Sequence, residues 1–306
     1  MTVTPDALTA RLTSTAHPGP AAANCPCPTG LLADRPDATV LRHGDTVAKA
    51  HAPGTDPEAL VRRLTVAARL PDVLLAPLWT TPETVDGRLV TYWPHGTPVD
   101  RDDPDAAPWE AAATLLARLH RAPLETRLPP MRGPAKAAAA IARLKKSPKA
   151  LSRSDAAPVL DAWAALPGWA RGEEPAPGVP ALCHGDLHLG QLVRRPAPDG
   201  GWRLIDVDDL GTGIPAWDLA RPAAWYACGL LPPEEWTRFL DAYRAAGGPA
   251  VPPDGDPWPV LDVPARALTV QTAALALTKA LAAGRSPDEV EQAVVDACAR
   301  MTASAR

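Results

Sequence analysis

Apolar and polar positions repeat with two different periods along this chain, and the change of period marks out its parts. In residues 38–50, ATVLRHGDTVAKA, two short β-type runs with alternating apolar residues flank His43-Gly44-Asp45. A period of two places successive side chains on opposite faces of a strand, and a glycine between two such runs supplies the turn of a hairpin. Residues 73–78 (VLLAPL) and 87–93 (GRLVTYW) predict two more strands, joined by a Thr/Pro/Asp/Gly turn. Between these pairs, residues 56–70 change to a helical period. Leu60, Leu64 and Ala67 fall on one face, Asp56 is placed to cap the N-terminus, and Pro57 suits the first helical position. Tyr92–Gly96 reads as a hinge at the end of this β-rich lobe.

Beyond the hinge the helical period takes over. Residues 108–121 carry Trp109, Leu115, Leu116 and Leu119 on one face. The acids of 100–105 (DRDDPD) read as a cap and a favourable charge at the start of that helix. Residues 134–150 predict an alanine-rich helix whose Lys136, Arg143, Lys145, Lys146 and Lys149 read as a solvated face. Residues 155–170 suggest another helix through Leu160, Trp163 and Leu166, and 216–247 and 261–302 are helix-rich, with Pro near starts and Gly at ends. Two short apolar runs, 179–183 and 202–205, interrupt the helices as strands, with the turn APDGG between them. The expectation is an α+β chain of two lobes, a small β-rich one over 29–94 and a larger helical one over 95–306. The Thr/Ala/Pro-rich residues 1–28 read as a peripheral arm that begins with a short helix, Pro5–Leu12.

Composition narrows the class. The 306 residues suffice for an ample core, and net charge −4 argues against a nucleic-acid partner. No apolar run reaches ~18 residues and no basic-then-apolar leader is visible, so no membrane partner and a cytoplasmic location are expected. Five cysteines, at 25, 27, 183, 228 and 298, have no framework spacing, which argues against a disulfide scaffold. Cys25-Pro26-Cys27 has no second pair of soft ligands nearby in sequence, so zinc is not expected there.

The chemistry concentrates in residues 181–221. Each of the two apolar runs ends in a carboxylate, Asp186 in HGDLHLGQ and Asp206 in LIDVDD. Two acids with an amide between them suit phosphoryl transfer, where the transition state spreads negative charge over the phosphoryl oxygens and catalysis is mostly positioning and neutralisation by Mg²⁺. One carboxylate meets the acceptor hydroxyl; the second, with an amide oxygen, holds metal. The spacing H-x-D-x-x-x-x-Q has the length of the kinase catalytic loop, and Asp206 stands where the Asp of the kinase D-F-G stands. An isolated HGD is more often a turn, but the spacing, the second acid and the downstream PAWDLA would all have to coincide by accident. Lys49, on the second run of the first hairpin, is the candidate to grip the α/β-phosphates.

HGDLHLGQ followed by LIDVDDLGTGIPAWDLA resembles the aminoglycoside phosphotransferase and choline kinase group of small-molecule kinases. The catalytic loop, with Gln in place of the usual Asn, is also similar to that of actinobacterial maltokinases and glucosamine kinases. The resemblance implies a bilobal protein-kinase-like fold, ATP or GTP as co-substrate, Mg²⁺, and a small-molecule hydroxyl as acceptor. It implies Asp186 as catalytic base and Gln191 and Asp206 as metal ligands. Glu58, the one acid of its helix, is the candidate partner of Lys49, and adenine would pair with backbone near Thr91, Tyr92 and Trp93. Asp218 would buttress the catalytic loop, His184 would fix it, and His188 would neighbour the active site. Asp208 and Asp209 add negative charge beside Asp206, and one of them either ligates a second Mg²⁺ or faces water, the second being favoured. The usual Gly-rich phosphate cover is missing, since Pro28–Pro36 holds only Gly30. Trp217, Trp225 and Trp258 read as core, with stacking on an acceptor as the alternative. An aminoglycoside or related antibiotic is the first acceptor expected. A sugar or amino sugar, a peptide or biosynthetic-intermediate hydroxyl, and a nucleotide-binding pseudokinase scaffold stay open. A monomer or homodimer is expected.

Overall fold

The computed structural model describes residues 5–17, 25–124, 127–147 and 155–303. Lys149 and the remaining parts of the N-terminal arm lie outside the described residues. The chain forms two compact units. One comprises Met1–Ala107, Glu125–Pro129 and Gly190–Asp208; the other comprises Pro108–Leu124, Pro130–Leu189 and Asp209–Arg306.

The first unit holds a five-stranded antiparallel sheet of order β1-β2-β3-β5-β4, from β1 (Thr29–Asp34), β2 (Thr39–His43), β3 (Thr46–Ala50), β4 (Glu83–Val85) and β5 (Arg88–Pro94). β2 and β3 form the expected hairpin, with Thr39 opposite Ala50 and His43 opposite Thr46. Gly44 takes φ 57° in the turn, a conformation only glycine adopts without strain. The run 73–78 is not a strand over its length. Pro77 has no N–H to give a ladder, and only an isolated bridge, Leu74 to Leu204, forms there. β4 arises instead from the segment expected as a turn.

The segment expected as a peripheral arm contains α1 (Pro5–Ala16), which is part of the core. Leu8 and Leu12, one helical turn apart, are fully buried with Leu41, Ala48, Ala50, Val90 and Tyr92. Burying two leucines is worth roughly 1.5–3 kcal/mol each, enough to dock a short helix on a small sheet. α2 (Pro57–Arg69) begins at its Asp56 cap, which accepts from the N–H groups of Glu58 and Ala59, and buries Leu60, Leu64 and Ala67.

The boundary at 94/95 is also revised. β6 (Thr97–Pro98), β8 (Leu192–Arg195) and β9 (Gly201–Leu204) form a three-stranded sheet of this same unit. The Leu204 carbonyl accepts from Leu75 N–H, and Leu204 N–H donates to Val73. These bonds hold the hairpin that ends in Asp206 to the N-terminal segment.

The second unit is helical: α3 (Trp109–His120), α4 (Gly133–Lys145), α5 (Ala156–Ala164), α6 (Ala220–Ala227), α7 (Pro233–Ala245), α8 (Trp258–Ala282) and α9 (Glu289–Ala303). α8 is the organising helix, packed by α4, α5, α6 and α9. It is long and apolar enough to cross a membrane by composition alone, but 67% of its apolar window is buried inside the fold. An all-round apolar helix is what the centre of a large helical core requires. Trp217 lies in this core, and Trp258 packs beside Tyr226 and Trp236. β7 (Ala181–Cys183), fully buried, pairs with β10 (Gly211–Gly213), Cys183 opposite Gly211. That pairing brings the HGD turn up to Asp209.

Candidate active site

In the first unit the lysine of the hairpin meets acids that follow it by 157 and 159 residues in the chain. Lys49 Nζ lies 2.7 Å from Asp206 Oδ1 and 2.9 Å from Asp208 Oδ2. Burial works to discharge Lys49, but the two carboxylates outweigh it and hold the ammonium well above its ordinary range. Burial likewise opposes ionisation of Asp208, and Lys49 and His51 overcome it, leaving that carboxyl far below the usual range. His51, fully buried, places Nδ1 2.8 Å from Asp208 Oδ1 and Nε2 2.8 Å from Thr91 Oγ1. Asp208, its side chain 28% exposed, is the counter-ion of Lys49.

Asp206 stands just beyond β9 with φ 66°, a left-handed backbone for a non-glycine residue. Such conformations cost of order 1–3 kcal/mol and concentrate at functional sites. Its Oδ1 accepts from Lys49 and from Asp208 N–H, and Oδ2 makes no hydrogen bond among the described residues. Gln191 is tied to the same place, since its carbonyl accepts Ile205 N–H at 2.9 Å. A carboxylate and a side-chain amide oxygen are the hard donors that Mg²⁺ accepts, so the donor set fits that ion.

The other residues expected near the nucleotide have side-chain partners of their own. Glu58 is 81% exposed and pairs with Arg62 one helical turn on, at 3.0 Å, not with Lys49. Its place at the first turn of α2 suits the helix dipole. Thr91, Tyr92 and Trp93 are buried in β5 beside β3. Trp93 Nε1–H donates to Thr91 Oγ1 (2.9 Å) and the Tyr92 hydroxyl donates to Glu83 (2.8 Å), so their side chains are committed to the sheet.

In the second unit Asp186 follows β7 in a turn that Gly185 makes possible. Gly185 has φ 84°, and a Cβ there would lie 2.5 Å from the Asp209 carbonyl. Asp218 holds this turn from behind. Buried, it accepts from His184 N–H (2.6 Å) and Gly185 N–H (2.7 Å), and its Oδ2 lies 3.0 Å from His120 Nε2. His120 Nδ1 is 2.7 Å from the Tyr243 hydroxyl. His120 thus bridges Asp218 and Tyr243 through its two ring nitrogens.

Two cations clamp Asp186. Lys136 Nζ lies 2.8 Å from Asp186 Oδ2 and 2.6 Å from Asp209 Oδ2, and Arg221 donates to Asp186 Oδ1 (2.6 Å) and to the Leu187 carbonyl (2.9 Å). Burial opposes the charge on Asp186, but Lys136 and Arg221 prevail, with a smaller contribution from His188, and hold the carboxyl at about 2. Burial lifts Asp209 above its ordinary range despite the shared lysine. Asp186, Lys136 and Arg221 line a small cavity together with Gly185, Trp217 and Gln271.

Lys136, Arg221 and His51 were not singled out as site residues in the sequence. Lys136 had a signal. It falls three residues after Gly133 and four before Ala140, on the buried stripe of α4, whereas Arg143, Lys145 and Lys146 are exposed. Replacing it tests the clamp. In Lys136→Met the Asp186 carboxyl is expected to titrate at least ~1 unit higher, because the cation that does most to hold it down is gone. Carboxyl-carbon NMR titration reads this directly; an unchanged midpoint near 2 would remove Lys136 from the clamp.

The sequence matches the model of the phosphotransferase enzyme family over residues 31–258, most of the chain. The chain belongs to that phosphotransferase family. The match spans Lys49, the catalytic-loop motif and both acids. A comparison with curated protein sequences gives no match. Among solved structures, a choline/ethanolamine kinase family protein from Mesorhizobium loti is similar at 17% identity, TM-score 0.57, covering 97% of this chain and 93% of that one. Spectinomycin phosphotransferase in complex with ADP and spectinomycin aligns at 12% identity, TM-score 0.60, over 87% of each chain. An aminoglycoside 3′-phosphotransferase of type VIII aligns at 22% identity, TM-score 0.56, over 87% of this chain and 98% of that one. The phosphotransferase thus has the kinase-like fold, with a β-sheet N-terminal region and a helical C-terminal region.

Proposed function

We propose that this phosphotransferase moves the γ-phosphate of ATP to a hydroxyl of a small molecule, with Asp186 receiving the hydroxyl. The observation that carries the reading is the Asp186 clamp: a carboxylate on a turn fixed by Asp218 and kept ionised by Lys136 and Arg221. Asp186 accepts the hydroxyl hydrogen bond and orients the oxygen for in-line attack. With its carboxyl near 2 it is a weak base, which suits a loose transition state where the proton leaves late. Lys49 steadies the phosphates, with Asp208 as its counter-ion. Gln191 and Asp206 hold Mg²⁺, which when bound neutralises charge on the phosphate oxygens.

An aminoglycoside or related antibiotic is the first acceptor class, by analogy with structures of the same fold, among them the spectinomycin complex. A specific observation favours a second class, sugars. Lys136 and Arg221 flank the acceptor carboxylate, and two cations there disfavour a polycationic ligand. The test is a coupled ADP-release screen with ATP, GTP and Mg²⁺ against aminoglycosides, other antibiotics, sugars and amino sugars. Mg²⁺-dependent ADP release with one panel, absent in Asp186→Ala, supports the reading and names the class. Nucleotide binding without transfer or slow hydrolysis overturns it in favour of a scaffold.

A further inference from the structure

We infer that His17, Cys25, Cys27 and His43 form a structural zinc site in the first unit. The expectation that Cys25-Pro26-Cys27 lacks soft partners fails, because the fold supplies two histidines that sequence distance concealed. One ligand atom from each of the four residues lies within 4.8 Å of all the others. His17 follows the last turn of α1, the two cysteines precede β1, and His43 ends β2. Cys25 Sγ is 3.0 Å and Cys27 Sγ 3.4 Å from His17 Nε2. On a tetrahedral zinc, with bonds of about 2.3 Å to sulfur and 2.0–2.1 Å to nitrogen, sulfur and nitrogen ligands stand about 3.5 Å apart. The cluster is at that scale before any metal draws it together.

His43 gives the independent indication. It is 3% exposed, and its Nε2 is buried with no hydrogen-bond partner among the described residues. A buried ring nitrogen without a partner is costly. Its Nδ1 lies 2.7 Å from Thr29 Oγ1. With the proton on Nδ1 that contact fixes the tautomer whose free Nε2 lone pair is available to a metal, the outer-shell arrangement common around ligating histidines. Cys27 N–H donates to Cys25 Sγ (3.3 Å). Two thiolates would balance the charge of Zn²⁺, and two thiolates with two imidazoles are a donor set zinc prefers. The other convergent set, His120, Cys183 and Asp218, differs because Asp218 spends both oxygens on the catalytic turn and His120. Zinc at the first cluster would fasten the end of α1 to the start of β1 and the end of β2, the same docking that Leu8 and Leu12 support from the core.

The test uses the full chain, expressed with zinc and purified without a histidine tag. Elemental analysis is expected to find about one zinc per chain. Cobalt exchanged into the protein should show the visible bands of a tetrahedral site together with thiolate-to-cobalt charge transfer. Cys25→Ser/Cys27→Ser should lose the metal, and Cys228→Ser should keep it. A strong chelator should lower the wild-type unfolding midpoint by at least ~5 °C, since metal bound only by the folded state stabilises it. Should the double variant fail to fold, the cobalt spectrum and chelator shift of the wild type decide by themselves. Wild type with less than ~0.1 zinc per chain and no cobalt–thiolate band overturns the site. So does zinc retained in a folded double variant, or isolation with Cys25 and Cys27 oxidised to each other and no metal.

Discussion

Asp186→Asn is expected to lower kcat by ~10²–10⁴, the usual range for removing a positioned acid–base group, while leaving nucleotide affinity within ~3-fold. The separation follows from where the charges sit. Lys49, Asp206 and Asp208 form one ion cluster, and Asp186 with Lys136, Arg221 and Asp209 forms another. Asparagine keeps the shape but presents an NH₂ or a neutral oxygen to the acceptor hydroxyl, and Lys136 keeps Asp209 as its partner. The fold should survive at neutral pH. The pH dependence of stability changes in a defined direction. The folded carboxyl, at about 2, lies below its unfolded value near 3.9. Its contribution is therefore present above ~pH 4 and is lost as pH falls towards 2. The variant should lack that acid-range component. Single-turnover transfer and nucleotide titration measure the first two effects; a rate within ~10-fold of wild type would refute Asp186 as the hydroxyl acceptor.

Asp218→Ala is expected to be the most damaging single change to both fold and activity, because Asp218 holds the turn that carries Asp186. Its carboxylate is buried and serves two backbone N–H groups and one imidazole. Deletion leaves three buried donors without an acceptor, a loss of about 3–5 kcal/mol by analogy with breaking buried charged pairs. At roughly 2–4 °C per kcal/mol for chains of 150–250 residues, the unfolding midpoint should fall by ~10 °C. Loosening of the 184–186 turn by even 1 Å should cost at least ~10²-fold in kcat in the molecules that remain folded. Asp218→Asn is the informative companion. It retains one acceptor oxygen but turns an NH₂ group towards a donor, so it should fall between wild type and alanine in both readouts. A melt within ~2 °C of wild type for Asp218→Ala would show that the turn is held by something else.

How much of the site was legible depended on whether its parts were neighbours in sequence. The spacing from His184 through Asp186 to Gln191, and the strand leading to Asp206, are local patterns with a physical meaning, and their elements appear as β7, β8 and β9. Lys49 was legible because its hairpin has a clear two-residue period and a glycine at the turn. The run 73–78 misled because apolar content resembles a strand even where Pro77 removes a donor; periodicity does not report backbone hydrogen bonds. α1 misled in the opposite sense. Its two core leucines stand in a Thr/Ala/Pro-rich setting, where composition hides a burial that depends on the sheet beneath.

The sequence by itself determined the hairpin of β2 and β3, the helices of the second unit, the lysine and the acids of the phosphotransferase motifs, and the length of the loop between Asp186 and Gln191. Those features are set by backbone period, turn chemistry and spacing, all of which act over a few residues. Only the tertiary structure decided that Lys49 pairs with Asp208 instead of Glu58, that Lys136 leaves a basic helix to clamp Asp186, and that two histidines join Cys25 and Cys27. Each is a pairing of charges or ligands brought together by sheet register and helix packing. Such pairings are governed by distance in space, which one-dimensional spacing does not encode.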